Sequence, residues 1–343
     1  MSAATENTED TEKNLAMILT PKGVGAIAVI RLKGPGVNSF LEKHFSKQVI
    51  EGRCVHGEIR DGETVLDDAV VVRHGDFVDL NVHGGVWVVK SVLDLAQREG
   101  FEVVDDALEM MDGQTILERE VMAAMRFAGT ELAIRVLLAQ PEAWTNSKPD
   151  VADRSLWWLL HPPRVAIVGV ANVGKSTLAN QLFARERSIT ADVPGTTRDW
   201  VGEMANLDGL MVILMDTPGL RETSDGIERE AIERSGAEVG RADLVVVVVD
   251  PTQDAREQVE LARKYAGAII VANKKDRPAA WDVVAYFKGV IGTVATRGEG
   301  IEALKSEIRG RFGCENMDMK RARWWTERQR QELMGGNEAE GGE

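Results

Sequence analysis

From residue 164 onward, short apolar runs alternate with stretches of mixed polarity. The runs are Arg164–Val168, Leu210–Met215, 244–250 and 268–272. Continuous apolar runs separated by helical periodicity predict buried strands joined by helices. The fold class expected is therefore α/β, a mainly parallel sheet with helices on both faces. Before residue 105 the pattern is mixed α+β. Segments 26–32, 65–72 and 77–82 are strand candidates, with turns at Gly34-Pro35-Gly36 and at Gly75. Val86–Arg98 carries apolar residues at helical spacing and closes at Gly100, which predicts a helix.

Between residues 116 and 140, Leu117, Val121, Ala124, Ala128, Leu132 and Val136 form one apolar stripe. This predicts an amphipathic helix or a helix pair, broken by Pro141. Residues 141–163 contain Pro141, Pro149, Pro162 and Pro163 with Trp144, Trp157 and Trp158. They read as a linker whose tryptophans dock on a neighbouring surface, or as a loop covering its own domain. Residues 321–333 predict a helix, and 335–343 an acidic, Gly-rich disordered tail. The expected organisation is a disordered leader at 1–15, an N-terminal α+β domain at 16–104 and a reduced helical segment and linker at 105–160. A nucleotide-binding domain at 161–313 and a C-terminal helix and tail at 314–343 complete it.

Composition narrows the function classes. The 343 residues are 44% hydrophobic, enough to build real cores. With 41 Lys+Arg against 55 Asp+Glu the net charge is −14, which excludes an overall basic field that would gather nucleic acid. Lys320, Arg321, Arg323, Arg328 and Arg330 remain a candidate local basic patch. Cys54 and Cys314 lie far apart and give neither a disulfide framework nor metal-ligand spacing. Residues 1–13 lack the apolar core of a signal peptide, and no apolar run is long enough to span a bilayer. A cytoplasmic protein with no membrane association is expected.

Gly169-Val-Ala-Asn-Val-Gly174-Lys175-Ser176 is a full G-x4-G-K-S match between a predicted strand and a predicted helix. Its glycines allow successive N–H groups to point inward around phosphates, and the helix N-terminus adds partial positive charge. Gly169, Asn172, Val173, Gly174, Lys175, Ser176 and Thr177 are expected to line the nucleotide. Lys175 would neutralise phosphate oxygens and the Ser176 hydroxyl would ligate Mg²⁺.

Asn273-Lys274-Lys275-Asp276 follows a later strand. Asp276 is placed to accept from the guanine N1–H and exocyclic amine, a donor pair that adenine lacks, so GTP is expected over ATP. Asn273 would brace the phosphate loop, and the Lys274 stem would lie against the base. Asp216-Thr217-Pro218-Gly219 ends another strand; Asp216 would hold Mg²⁺ through water and the Gly219 N–H would meet the γ-phosphate. Upstream, in Gly195-Thr196-Thr197-Arg198-Asp199, Thr197, with Thr196 as second choice, would ligate Mg²⁺ when the γ-phosphate is present. Leu220 stands where many GTPases carry a water-orienting glutamine, so catalysis must draw on another group.

These residues bring a family into view. The stretch from Asp216 through Glu228 to Arg234, with 195–199, resembles the switch regions of the MnmE (TrmE) tRNA-modification GTPases. The N-terminal Thr20-Pro21-Lys22-Gly23-Val24-Gly25 and the following Ala26-Ile27-Ala28-Val29-Ile30-Arg31 resemble that family too. So does Phe77-Val78-Asp79-Leu80-Asn81-Val82-His83-Gly84-Gly85. The likeness covers about 14–100 and 164–312. It implies GTP hydrolysis aided by K⁺, with Asn172 at the place of the family's K⁺ ligand and Glu228 at that of its water-orienting glutamate. The catalytic set is then Glu228, Lys175 and Thr197. It further implies a homodimer through the N-terminal domain, transient pairing of G domains, a tetrahydrofolate derivative as cofactor, and tRNA and a flavoprotein as partners. The loop Val294-Ala295-Thr296 departs from the family's serine-alanine-lysine or -arginine, and Ala295 is its expected nucleotide contact. The helical region is shorter than the family's, and the last residues read Glu340-Gly341-Gly342-Glu343 in place of Cys-x-Gly-Lys. The alternative reading is a shortened regulatory GTPase acting in ribosome or RNP assembly. His83, beside Gly84 and Gly85, reads more readily as a capping or packing histidine than as a ligand contact.

Overall fold

The computed structural model describes residues 13–21, 23, 25–183, 202–215 and 239–339. They form two compact units that divide after Phe127.

In the first unit, β1 (Leu15–Ile18), β2 (Ile27–Lys33), β3 (Cys54–Asp61), β4 (Thr64–His74), β5 (Phe77–His83) and β6 (Glu102–Val103) build one sheet in the order β3-β4-β5-β2-β1-β6. Neighbours are antiparallel except β1 and β6. Alternation along β5 sends Val78, Leu80 and Val82 inward, as period-two patterning requires. There they meet Phe40 of α1 (Val37–His44), Leu95 of α2 (Val86–Arg98) and Phe101 in one buried cluster. A second cluster joins Leu15 and Met17 of β1 to Met110, Met111 and Ala123 of α3 (Ile116–Ala124). Leu15 thus opens the first strand instead of closing a disordered leader, and residues 105–127 pack with this unit instead of with a separate helical segment. Arg31 fixes the second cluster to the sheet. It is 3% exposed, bonds both oxygens of Asp79 at 2.7 and 2.8 Å, and donates to the Met110 carbonyl at 2.9 Å.

The apolar stripe of 116–140 is a helix pair. α3 ends at Ala124, and α4 (Glu131–Leu138) restarts where Thr130 accepts a hydrogen bond from the Ala133 N–H, a side-chain N-cap. The break expected at Pro141 falls at Ala139, where α4 ends and a new helix begins. Pro141 sits in the first turn of α5 (Gln140–Asn146), where its missing N–H costs nothing.

The second unit holds β7 (Arg164–Val168), β8 (Gly202–Leu207), β9 (Leu210–Met215), β10 (Leu244–Val249), β11 (Ile269–Ala272) and β12 (Ile291–Gly292). Their order is β12-β11-β10-β7-β9-β8, parallel except for the β8–β9 hairpin. Val246 to Val249 are all fully buried, as expected of a strand covered on both faces. Helices α7 (Lys175–Phe183) and α8 (Ala255–Arg263) lie between the strands in sequence, and α9 (Ile301–Arg311) follows the last of them.

Residues 141–163 cover their own domain, the second of the two readings, and do so as the helices α5 and α6 (Ser155–Leu160), whose tryptophans pack within their own unit. The Trp144 Nε1–H donates to the Arg323 carbonyl at 2.9 Å, and that of Trp324 to Val151 at 3.0 Å. Trp144 meets Trp325 edge-on at 6.2 Å, and Trp157 lies 5.8 Å from Trp324. The C-terminal helix, α10, runs Glu327–Ala339. It starts later than residue 321 because 321–326 is used in this indole cluster, and it continues through 335–339, where a disordered tail was expected. Of the basic patch, Lys320 is exposed and the four arginines are engaged within the unit. Arg323 is buried and donates to Ser155 Oγ at 2.9 Å, Arg321 pairs with Asp153 at 3.1 Å, Arg328 pairs with Glu332, and Arg330 pairs with Glu327 at 3.3 Å. Among the described residues no helix is long and apolar enough to cross a membrane.

Candidate functional site

Because β7, β10, β11 and β12 run parallel, their C-terminal ends share one edge of the sheet, and the loops leaving them gather there. That edge is where an open α/β sheet binds its ligands.

The loop after β7 carries 169–174 and enters α7 at Lys175. Asn172 and Gly174 have φ of 61° and 97°, the left-handed conformations that curl the backbone. At Gly174 a Cβ would lie 2.3 Å from Asn273 Nδ2, so only glycine fits between the two loops. Lys175 is 8% exposed and folds over the loop, donating to the Gly169 and Val170 carbonyls at 2.9 Å each. Burial pulls its pKa below the ordinary 10.5. A cation held by neutral carbonyls in a desolvated place favours an incoming anion. The Asn172 side chain is exposed, and Ser176 and Thr177 stand half-buried in the first turn of α7.

The loop after β11 is bound to this cradle through side chains. Asn273 is 3% exposed; its Nδ2 donates to the Val173 carbonyl at 2.9 Å, and its Oδ1 accepts from the Ala295 N–H at 3.0 Å and from Thr293 Oγ1 at 3.1 Å. It therefore joins the phosphate loop to the loop after β12, which is the bracing expected of it. Lys274, at φ 58°, extends its ammonium to the Asn172 carbonyl at 2.7 Å and to Asp250 Oδ2 at 2.6 Å.

Asp250, fully buried at the end of β10, was not singled out in the sequence. Its burial opposes ionisation, but Lys274 and two hydrogen bonds from Thr252 outweigh that and hold the carboxyl below its ordinary value. The signal available was a lone aspartate closing an apolar strand. Asp276 is a third exposed at the same edge, and Arg297 Nη2 lies 2.9 Å from its Oδ2. Arg297 too was passed over, since nothing local marks it.

The structure thus brings together Gly169, Asn172, Val173, Gly174, Lys175, Ser176, Thr177, Asn273, Lys274, Asp276 and Ala295. Thr196, Thr197, Asp216, Thr217, Pro218, Gly219 and Glu228 lie outside the described residues. His83 belongs to the other unit. Its Nδ1 lies 2.7 Å from Asp67 Oδ1, and Gly85, not His83, caps α2.

Comparison with known proteins carries the same division. Residues 164–274 match the family described as 50S ribosome-binding GTPase, and 14–105 match the GTP-binding protein TrmE N-terminus. The tRNA modification GTPase MnmE of Aquifex aeolicus is 30% identical over 369 residues, spanning 88% of this chain and 82% of its own. That of Nitratidesulfovibrio vulgaris is 31% identical over 371 residues, 87% of this chain and 81% of its own. That of Listeria innocua is 28% identical across 89% of this chain and 83% of its own. With the nucleotide cradle at one sheet edge and relatives of this closeness across both units, the chain belongs to the MnmE family of GTPases and hydrolyses GTP.

Proposed function

We propose that this GTPase acts in the modification of tRNA, and that its turnover runs on the residues gathered at the sheet edge together with the two switch segments. The observation that carries the proposal is the pairing of both family segments in one chain, aligned to MnmE relatives over most of its length. A free-standing switch would need only the second. The curated relatives favour this over a role in ribosome or RNP assembly.

In this reading the N–H groups of 169–176 and the Lys175 ammonium hold the β- and γ-phosphates. Ser176, Thr197 and Asp216 would supply the oxygen donors a hard Mg²⁺ ion prefers, and such an ion would offset charge on the phosphates. Asn172 stands beside the phosphate cradle with an exposed amide, a neutral oxygen donor suited to K⁺. Such a cation would do part of the work of an arginine finger, and Glu228 would orient the attacking water in place of the glutamine that Leu220 replaces. Asp276 reads guanine, with Lys274 and Ala295 bordering the base. Lys274 is tied down by Asp250 and Asn172 on the site's own edge, so its stem serves as a fixed wall. Dimerisation through the first unit, transient G-domain pairing, a tetrahydrofolate derivative and a flavoprotein partner extend the family resemblance to this chain.

The decisive experiment is complementation. In a bacterial strain lacking its own modification GTPase, the intact chain should restore the modified wobble uridine, read by mass spectrometry of tRNA nucleosides, and Asp276→Asn supplied with GTP alone should not. Full GTP turnover without restored modification would overturn the tRNA assignment. For the cation, turnover in KCl should exceed that in NaCl, and Asn172→Ala should erase the difference; equal rates in the two salts refute K⁺ assistance.

A further inference from the structure

Arg297 comes from the turn after β12, and the surrounding backbone holds it in place. Val294 and Glu299 form an antiparallel bridge, and Ala295 donates to Asn273. Arg297 then closes a turn ending at Gly298. From there its Nη2 reaches Asp276 Oδ2 at 2.9 Å, while its Nε lies 3.4 Å from Glu299 Oε1. The guanidinium is therefore shared between two carboxylates, with Nη2 facing Asp276 and Nε facing Glu299.

A carboxylate has four lone-pair positions on two oxygens. Guanine recognition uses one on each, from the N1–H and the exocyclic amine. An approach by Arg297 at Oδ2 uses one of the four positions and leaves enough for the two the base needs. Asp276 has two side-chain torsions and is a third exposed, so without a partner it would sample several rotamers. We infer that Arg297 is a positioning residue that holds the Asp276 carboxylate in the orientation that reads guanine, and that it remains in place when the base binds. This rests on Asp276 being the base reader.

The test is a double-mutant cycle on the full chain, measuring GDP and XDP affinity by titration calorimetry in Mg²⁺ buffer. Asp276→Asn should exchange guanine for xanthine preference; if it does not, the base assignment itself fails. Given that exchange, Arg297→Ala in the otherwise native chain should weaken GDP about three- to fivefold, in the range of a partly exposed ion pair. Arg297→Lys should recover most of the loss, because one nitrogen suffices for the contact. In the Asp276→Asn background, Arg297→Ala should leave XDP affinity unchanged, since no carboxylate remains to be held. Unchanged or tighter GDP binding by Arg297→Ala would overturn the inference and mark Arg297 as a bystander or a competitor for Asp276. An equal loss of XDP affinity in the Asp276→Asn background would overturn it too, as a direct nucleotide contact or a general effect on the loop.

Discussion

The two units each carry a six-stranded sheet, yet among the described residues only the second gathers polar side chains from several loops at one edge. In the second unit the strands β7, β10 and β11 run parallel and release their loops on the same side, so residues a hundred positions apart, such as Val173 and Asn273, meet within hydrogen-bond distance. In the first unit the strands are almost all antiparallel, successive ends point opposite ways, and the chain's notable residues are consumed in structural pairs such as Arg31–Asp79 and His83–Asp67. Strand direction decides where a fold can concentrate polar groups; residue content alone does not.

The comparison can be pressed hardest at Lys175. Lys175→Ala should weaken GTP binding by about 100-fold or more, through lost charge-assisted hydrogen bonds to phosphate. It should leave the nucleotide-free protein as stable as before, because the ammonium is buried on neutral carbonyls. Thermal shift with and without nucleotide reads both. Retained affinity would undo the phosphate assignment.

Two glycines give a matched pair. At Gly174 a Cβ would lie 2.3 Å from Asn273 Nδ2, and at Gly84 it would lie 2.4 Å from the Gly25 carbonyl. Alanine at either should cost about 2–4 kcal/mol in its own unit. Only Gly174→Ala should also impair nucleotide binding, and denaturant unfolding followed alongside a nucleotide titration separates them. If Gly84→Ala impaired nucleotide binding as strongly, the independence of the two sites would be lost.

A smaller effect comes from pH. Burial lowers the Lys175 pKa from its ordinary 10.5, while bound phosphate favours the charged form. As pH rises through that lowered value the free protein loses the proton first, and binding must then recover it. GDP affinity should therefore decline in the alkaline range, and calorimetry in buffers of differing ionisation heat should detect proton uptake. A flat profile up to pH 10 would contradict it. The mildest test concerns the thiols. Cys54 is exposed, whereas Cys314 is buried and its pKa is pushed up to about 12 by burial and by Asp153. A thiol reagent should titrate one cysteine in the native protein and two after unfolding.

What could be read from the chain follows the same logic. The phosphate loop and Asn273–Asp276 were legible because each packs its chemistry into consecutive residues next to a strong strand. β9 and α2 were legible to the residue for a like reason, being bounded by turn residues. β1 was missed because four residues carry too little pattern, and β3 because Cys-Val-His-Gly-Glu-Ile-Arg-Asp hides its two inward positions among polar ones. Asp250 and Arg297 stayed invisible because each matters through one partner elsewhere in the chain, Lys274 and Asp276. The proline and tryptophan content of 141–163 left a docking linker and a covering segment both open, because indoles and prolines say nothing of what they will face; the structure has the covering segment.

That segment bears on where this protein can be cut. Trp144 bonds the Arg323 backbone across 179 residues, so the whole parallel sheet lies inside a loop sealed by indoles. A fragment trimmed to 161–313 would lose both sides of the seal, Leu156, Trp158 and Leu159 among them, and bare the buried Phe312 on which Trp158 packs. Such a fragment should be sticky and poorly folded, and the smallest dependable nucleotide-binding piece begins near residue 128 and runs to 339.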